Sequence, residues 1–284
     1  MPRPSQELSA QDAIMTATAA TTSAQSASRG GIVCITGATA GFGAATARRF
    51  AADGWRIIAT GRRQDRLDAL AAELAELTEL GDGNCLPLRF DVRDGDAVRA
   101  ALESLPEAWR AVDVLVNNAG LALGLEPAHR CSLDDWTTMV DTNIKGLLHV
   151  TRALLPGMVE RGRGHVVNLG SITGTYAYPG ANVYGGTKAF VMQFSRGLRA
   201  DLHGTGVRVT NIEPGLAESE FSVVRFGGDA DRAAKLYEGA SALRPEDIAA
   251  TIAWAVSCPA HVNVSRIEVM PTSQSFGALP VHRA

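Results

Sequence analysis

The sequence predicts an α/β fold: a single domain on a doubly wound, mainly parallel, seven-stranded sheet flanked by helices. Three observations predict it. From Gly31 onward, short apolar runs alternate with helical stretches, the rhythm of right-handed βαβ units. The first run ends in a glycine-rich turn that opens directly into a helix. No break in the rhythm marks a boundary after residue 30. One domain is therefore expected, although roughly 150 residues per domain would suggest about two.

The elements follow in order. Gly31–Thr36 is an apolar run and the first strand, and an Ala-rich helix follows over Ala44–Ala52. Trp55–Thr60 is the second strand. Arg66–Leu80 places Leu67, Leu70, Leu74 and Leu77 at the three-and-four spacing of an amphipathic helix. Leu86–Val92 is a third strand, Asp96–Leu105 a helix and Val112–Asn117 a fourth strand. One long helix is expected over Leu133–Val159, near or past Pro156. Gly164–Leu169, Val207–Ile212 and Arg266–Met270 complete the strands. Helices are expected over Val183–His203 and from Pro245, since proline is tolerated in a first turn.

Composition excludes several classes. The 284 residues carry 27 basic and 30 acidic side chains, a net charge of −3, with 46% hydrophobic and 20% charged residues. These are ordinary globular values, and a chain of this size needs no disulfide or metal staples. The charge balance offers no broad basic surface for nucleic acid. No run of about 18 apolar residues exists to cross a membrane. Cys34, Cys85, Cys131 and Cys258 are scattered without a paired motif, so free thiols, no metal site and a cytoplasmic setting are expected. Cys34 lies in an apolar run and reads as a core residue. Residues 1–30 are rich in Ala, Thr, Ser and Gln and read as a disordered extension, or as an upstream start with Met15 as another.

The loop after the first strand reads Thr36, Gly37, Ala38, Thr39, Ala40, Gly41, Phe42, Gly43. Strand before and helix after are the context of a dinucleotide (Rossmann) fingerprint. Glycines let the backbone approach a pyrophosphate, and the helix N-terminus presents free N–H groups to it. At the tip of the second strand an acid would bond the ribose 2′-hydroxyl of NAD. Here Thr60-Gly61-Arg62-Arg63 carries none, and two guanidiniums suit the 2′-phosphate of NADP.

Tyr184-Gly-Gly-Thr-Lys188 places a tyrosine and a lysine on one helical face. An ammonium beside a phenol is expected to lower the phenol's pKa, readying it for proton transfer to a carbonyl oxygen. Ser171 ends the fifth strand, thirteen residues before Tyr184, and its hydroxyl can hold an oxygen on which charge develops.

The spacing Gly-Xaa3-Gly-Xaa-Gly and the pair of Tyr184 and Lys188, with Ser171 ahead of them, resemble the short-chain dehydrogenase/reductase family over Gly31 to the C-terminus. The resemblance implies that Asn143, Ser171, Tyr184 and Lys188 are the catalytic set, Asn143 binding a water that links Lys188 to solvent. It also implies that Ser171 and Tyr184 touch substrate and that Lys188 holds the nicotinamide ribose. Asp91 and Val92 would meet adenine, and Asn118, Ala119 and Gly120 would line the cofactor after the sheet-supporting Asn117. Pro214, Gly215, Leu216 and Ser219 would flank the nicotinamide, ahead of a mobile lid. Glu218 departs from the small residues usual there, which leaves the lid contacts open.

Further segments, among them Leu121-Ala-Leu-Gly-Leu-Glu-Pro-Ala-His129, Pro156-Gly-Met-Val-Glu-Arg161, Pro259-Ala-His-Val-Asn263 and Val281-His-Arg283, are similar to the family's NADP-dependent 3-hydroxy acid dehydrogenases. That group acts on serine, L-allo-threonine or malonic semialdehyde. The similarity implies NADP(H), a small hydroxy or oxo acid substrate and a homotetramer. Residues 31–284 are read as the NADP-binding domain. Arg225 and a polar group near Asn182 are candidate partners for a substrate carboxylate, between which the sequence does not choose; an ordinary exposed charge is the alternative for Arg225. Two other activities stay open: reduction of 3-oxoacyl thioesters or other carbonyls on this fold, and a non-catalytic NADP-sensing regulator.

Overall fold

The computed structural model describes residues 30–77 and 83–275. The expected extension up to residue 29, the end of the Arg66–Leu80 helix and the Val281–Arg283 segment lie outside the described residues. The strands are β1 (Ile32–Ile35), β2 (Arg56–Gly61), β3 (Cys85–Arg89), β4 (Val114–Asn117), β5 (Gly164–Leu169), β6 (Val207–Pro214) and β7 (Arg266–Val269). The helices are α1 (Gly41–Ala52), α2 (Gln64–Leu77), α3 (Gly95–Glu103), α4 (Leu133–Val140), α5 (Gly146–Glu160), α6 (Asn182–Asp201), α7 (Glu220–Arg225), α8 (Ala230–Lys235) and α9 (Pro245–Ser257).

Successive residues of a strand point to opposite faces, and this alternation builds two cores. Val33 and Ile35 of β1, with Val114 and Val116 of β4, meet Phe50 of α1, Leu67, Leu70 and Leu74 of α2, and Ile248 and Ile252 of α9. Ile32 and Cys34, with Leu115, face Val98 and Leu102 of α3, Val150, Leu154 and Met158 of α5, and Leu198 of α6. Each fully buried Leu, Ile or Val is worth about 1.5–3 kcal/mol. Leu77, the fourth leucine of the predicted stripe, is exposed. Cys34 is a core residue as read, and burial pushes its thiol up to about 12.

The sheet runs β3-β2-β1-β4-β5-β6-β7, and every pair is parallel. Strand order turns back at β1, whose neighbours are β2 and β4, so a crevice opens beyond their carboxyl ends. Pro87 cannot donate to a ladder, but it sits on the edge strand β3, where this is tolerated. Asp94 caps α3 by accepting from the amides of Asp96 and Ala97.

Two segments differ from expectation. The single long helix is three pieces: α4, a π-helical turn over Asp141–Lys145, and α5, which runs through Pro156. The segment after β6 is folded into the short helices α7 and α8. Among the described residues no helix is long and apolar enough to cross a membrane.

Candidate active site

The crevice is a cleft of about 340 Å³, formed by the loops after β1 to β6. Its phosphate end is shaped by backbone. Gly37 (φ +65°) and Gly41 (φ +50°) hold left-handed conformations that disfavour side chains. A methyl on Gly43 would meet the Gly37 carbonyl oxygen at 2.3 Å, so the turn closes only on glycine. Asn118 clamps it by donating from Nδ2 to the Thr36 and Gly37 carbonyls, at 2.8 and 3.1 Å. Thr36 Oγ1 accepts from the amides of Asn118 and Ala119. The N-cap of α1, Ala40, supplies no side-chain cap, so the first-turn amides keep their donors for a ligand.

Arg62 and Arg63 stand at the tip of β2 on the same cleft wall, with Arg63 donating to Thr39 Oγ1 at 3.1 Å. The tip of β2, Gly61-Arg62-Arg63, carries no acid. Asp91 lines the cleft but is bound by Arg93, with Nη2 to Oδ2 at 2.6 Å and Nε to both oxygens. Partial burial opposes its charge, yet the Arg93 hydrogen bonds and the Arg62 guanidinium outweigh that and hold the carboxyl below its ordinary range. The glycine turn, uncapped helix and exposed arginine pair fit a dinucleotide carrying a 2′-phosphate.

At the chemical end, β5 delivers Ser171 and α6 delivers Tyr184 and Lys188. Ser171 caps the turn Ile172–Gly174, accepting from the Thr173 amide at 3.2 Å; its Oγ donates to the Pro214 carbonyl at 3.5 Å and acts on the Tyr184 phenol. Lys188 is buried and donates from Nζ to the Leu169 carbonyl at 2.7 Å. Its ammonium lies 5.8 Å from the Tyr184 ring centre. Burial lowers the Lys188 pKa from 10.5 to about 8. The expected lowering of the Tyr184 pKa does not occur: burial pushes the phenol up to about 12, against the Ser171 hydrogen bond and the Arg225 charge. Desolvation penalises phenolate and leaves a neutral proton donor.

Asn143 sits in the π turn, a distortion often found at functional sites. Its Nδ2 donates to the Leu121 carbonyl at 2.8 Å and to Thr187 Oγ1 at 3.0 Å, and its Oδ1 accepts from the Leu121 amide. A methyl on Gly120 would lie 3.3 Å from Asn143 Oδ1 and 3.5 Å from Lys188 Nζ. The two polar groups therefore flank the space that glycine leaves open.

Of the sequence-predicted residues, Gly37, Thr39, Ala40, Gly41, Phe42, Arg62, Arg63, Asp91, Val92, Asn118, Ala119, Gly120, Ser171, Tyr184, Lys188, Pro214, Gly215 and Ser219 line the cleft together. Ala38, Gly43, Asn143 and Leu216 stand behind its wall. The Ala38 amide donates to the Thr60 carbonyl, and that of Leu216 to Gln274 Oε1. Asn182 is exposed away from the cleft, its Oδ1 accepting from the Val183 amide. Sequence reading missed Glu220, which lines the cleft and whose carboxylate pairs with Arg66 at 2.9 Å. Arg225 is not an exposed charge: it is 9% exposed and packs against Tyr184.

The short chain dehydrogenase family matches residues 31–226. An NADP-dependent 3-hydroxy acid dehydrogenase of Salmonella typhi is 58% identical over 254 residues, covering 89% of this chain and 100% of that protein. A serine 3-dehydrogenase of Agrobacterium fabrum is 53% identical over 253 residues, covering 89% and 98%. Among solved structures, the closed form of a serine dehydrogenase complexed with NADP+ superposes with a TM-score of 0.86 at 56% identity, covering 89% of this chain and 100% of that one. With this match across the cleft-forming residues, the chain belongs to the short chain dehydrogenase family.

Proposed function

We propose that the chain is an NADP-dependent dehydrogenase of small 3-hydroxy acids, interconverting the 3-hydroxyl and 3-oxo groups of substrates such as serine, allo-threonine or malonic semialdehyde. The observation that carries this reading is the convergence of Ser171, Tyr184 and Lys188 at one end of a cleft whose other end holds Arg62 and Arg63. The names of the similar proteins support the acid substrate and the NADP preference. Residues 31–284 form the catalytic domain of this reading and residues 1–30 an extension. Family resemblance adds a cytoplasmic homotetramer, and the exposed Trp254 on α9, at 56%, supports a partner surface.

The glycine turn, Arg62, Arg63 and the Asn118–Gly120 segment would hold NADPH, which when bound would supply the hydride for the carbonyl carbon. Ser171 Oγ orients the carbonyl oxygen and stabilises its developing charge. Tyr184, a neutral phenol, gives its proton to that oxygen. Lys188, with a pKa of about 8, stays largely charged at neutral pH and stabilises the phenolate left behind. Asn143, tied to Leu121 and Thr187, keeps a polar path beside Lys188 for proton return. Oxidation runs each step backwards.

The test is a panel of short 3-hydroxy acids with NADP and NAD in parallel, together with NADPH-driven reduction of malonic semialdehyde and of an acetoacetyl thioester. Turnover of the acids with NADP in strong preference to NAD is expected. A strong preference for the thioester would overturn the substrate assignment. Absence of turnover on any carbonyl would favour a nucleotide sensor.

A further inference from the structure

Arg225 is a buried cation without an anion. It is 9% exposed, and among the described residues no carboxylate pairs with it. Its Nε donates to the Gly124 carbonyl at 3.2 Å and its Nη1 to the Tyr178 hydroxyl at 2.9 Å. Its Nη2 is buried with no acceptor. A guanidinium cannot shed its charge, and burying one without a partner is costly. The residue is also held in place: the Gly124 amide donates back to the Arg225 carbonyl at 3.0 Å, so α7 and the Leu121–Gly124 loop fix it from both ends. The guanidinium carbon lies 5.7 Å from the Tyr184 ring centre and 5.7 Å from that of Tyr178. Its helix neighbours Phe221 and Val224 line the cleft.

We infer that Arg225 is the carboxylate anchor of the substrate, with Nη2 as its unfilled donor and the Tyr178 hydroxyl as a second donor to the same anion. Tyr178 accepts from Nη1, so its own proton is free to donate. This rests on the 3-hydroxy acid reading. In such an acid the carboxyl carbon lies two single bonds from the reacting carbon, about 2.5 Å away. A substrate whose carbonyl oxygen meets Ser171 and Tyr184 therefore carries its anion close to the proton donor, against whose ring Arg225 packs, one position beyond the cleft-lining Val224. In the apolar cluster around Tyr184, Leu121, Leu123, Val183 and Phe221 offer a carboxylate nothing, and Trp136 offers a single neutral indole N–H, buried without an acceptor, where Arg225 offers a charge. The arginine would then select short acids over neutral carbonyls of the same shape.

The experiment compares NADPH-driven reduction of acetoacetate and of methyl acetoacetate by wild type, Arg225→Gln and Tyr178→Phe. For Arg225→Gln, kcat/KM on the acid is expected to fall on the order of a hundredfold, mainly through KM, and on the ester by less than about tenfold. Tyr178→Phe should fall about fivefold on the acid alone. Equal losses on acid and ester would overturn the inference, because a purely structural arginine, or one acting only on Tyr184, affects both substrates alike. So would an unchanged preference for the acid in Arg225→Gln. Should that variant fail to fold, Tyr178→Phe decides the matter, alongside inhibition of wild type by malonate. Competitive inhibition by malonate, and its absence with the neutral dimethyl malonate, is expected; equal inhibition by both would refute the anchor. If wild type itself reduces the ester and ignores the acid, the 3-hydroxy acid reading fails, a result distinct from a variant that merely keeps its selectivity.

Discussion

At the phosphate end of the cleft the charged side chains stand in solvent: Arg62 is 63% exposed and Arg63 44%. At the chemical end they are buried, Lys188 at 7% and Arg225 at 9%. The exposed arginines interact in a screened, high-dielectric setting. The buried groups are shifted, Lys188 down to about 8 and Tyr184 up to about 12, in both cases chiefly by desolvation. One end can therefore select and steer a ligand with loosely held charge. The other sets protonation states, and it does so at a cost in stability. Substitutions at the two ends should consequently fail in different ways.

The largest effect is expected at the buried phenol. Tyr184→Phe keeps the ring packed against Phe221 (centroids 5.6 Å apart) and removes only the proton. We predict a fall of about a thousandfold in kcat in both directions, with NADPH binding, read by nucleotide fluorescence, changed less than about twofold. Full turnover by this variant would remove Tyr184 from the proton path.

Lys188→Met tests the stability cost of the same end. A lysine whose folded-state pKa is about 8, against 10.5 ordinarily, binds its proton less tightly when folded than when unfolded. Below pH 8 the proton is bound in both states and the burial penalty, on the order of 3 kcal/mol, acts in full. Between pH 8 and 10.5 the unfolded chain binds more protons, so wild type gains stability as pH rises. The inactive methionine variant should melt several degrees above wild type at pH 7, with the gap narrowing towards pH 10. A gap that stays constant across that range would show that burial does not strain the lysine.

The contrast between the two ends also explains what could be read without coordinates. The glycine turn, the arginine pair and the Tyr184–Lys188 spacing are local patterns, each within eight consecutive residues, and they fall together in the cleft. The π turn around Asn143 is not local: it is stabilised by bonds to Leu121 and Thr187, 22 and 44 positions away. The burial of Arg225 depends on Gly124 and Tyr178, 101 and 47 positions away. The direction of the Tyr184 shift was misread for the same reason. Helical spacing places the lysine beside it, but only the packed neighbours decide how much water the phenol loses. Alternating strands and helices carried the sheet, because periodicity repeats along the chain; the short helices α7 and α8 have no such repeat.

At the exposed end, Arg62→Ala with Arg63→Ala should raise KM for NADP roughly ten- to a hundredfold and that for NAD by less than about threefold. The wild-type preference should weaken as salt rises, since these charges are screened over about 8–10 Å at moderate ionic strength. Equal losses for the two cofactors would mean that the arginines support the fold of the loop and do not read the 2′-phosphate. Salt-insensitive selection would place the selecting groups in the buried part of the cleft.

The smallest effect should come from Glu220, where the two halves meet. It opens α7, the helix that also carries Arg225, and its carboxylate bonds Arg66 at 2.9 and 3.0 Å and lies 3.8 Å from Arg63. It is 51% exposed, so each pair contributes at most about 1 kcal/mol. Its negative charge competes with a 2′-phosphate for the same guanidinium. Glu220→Gln should therefore lower KM for NADP about two- to threefold at low salt, leave that for NAD unchanged, and lose this effect near 1 M salt, where screening falls to about 3 Å. A rise in KM for both cofactors would assign Glu220 the opposite part, that of a tie drawing α7 over the bound nucleotide, and the separation of an exposed selecting end from a buried reacting end would then fail at this residue.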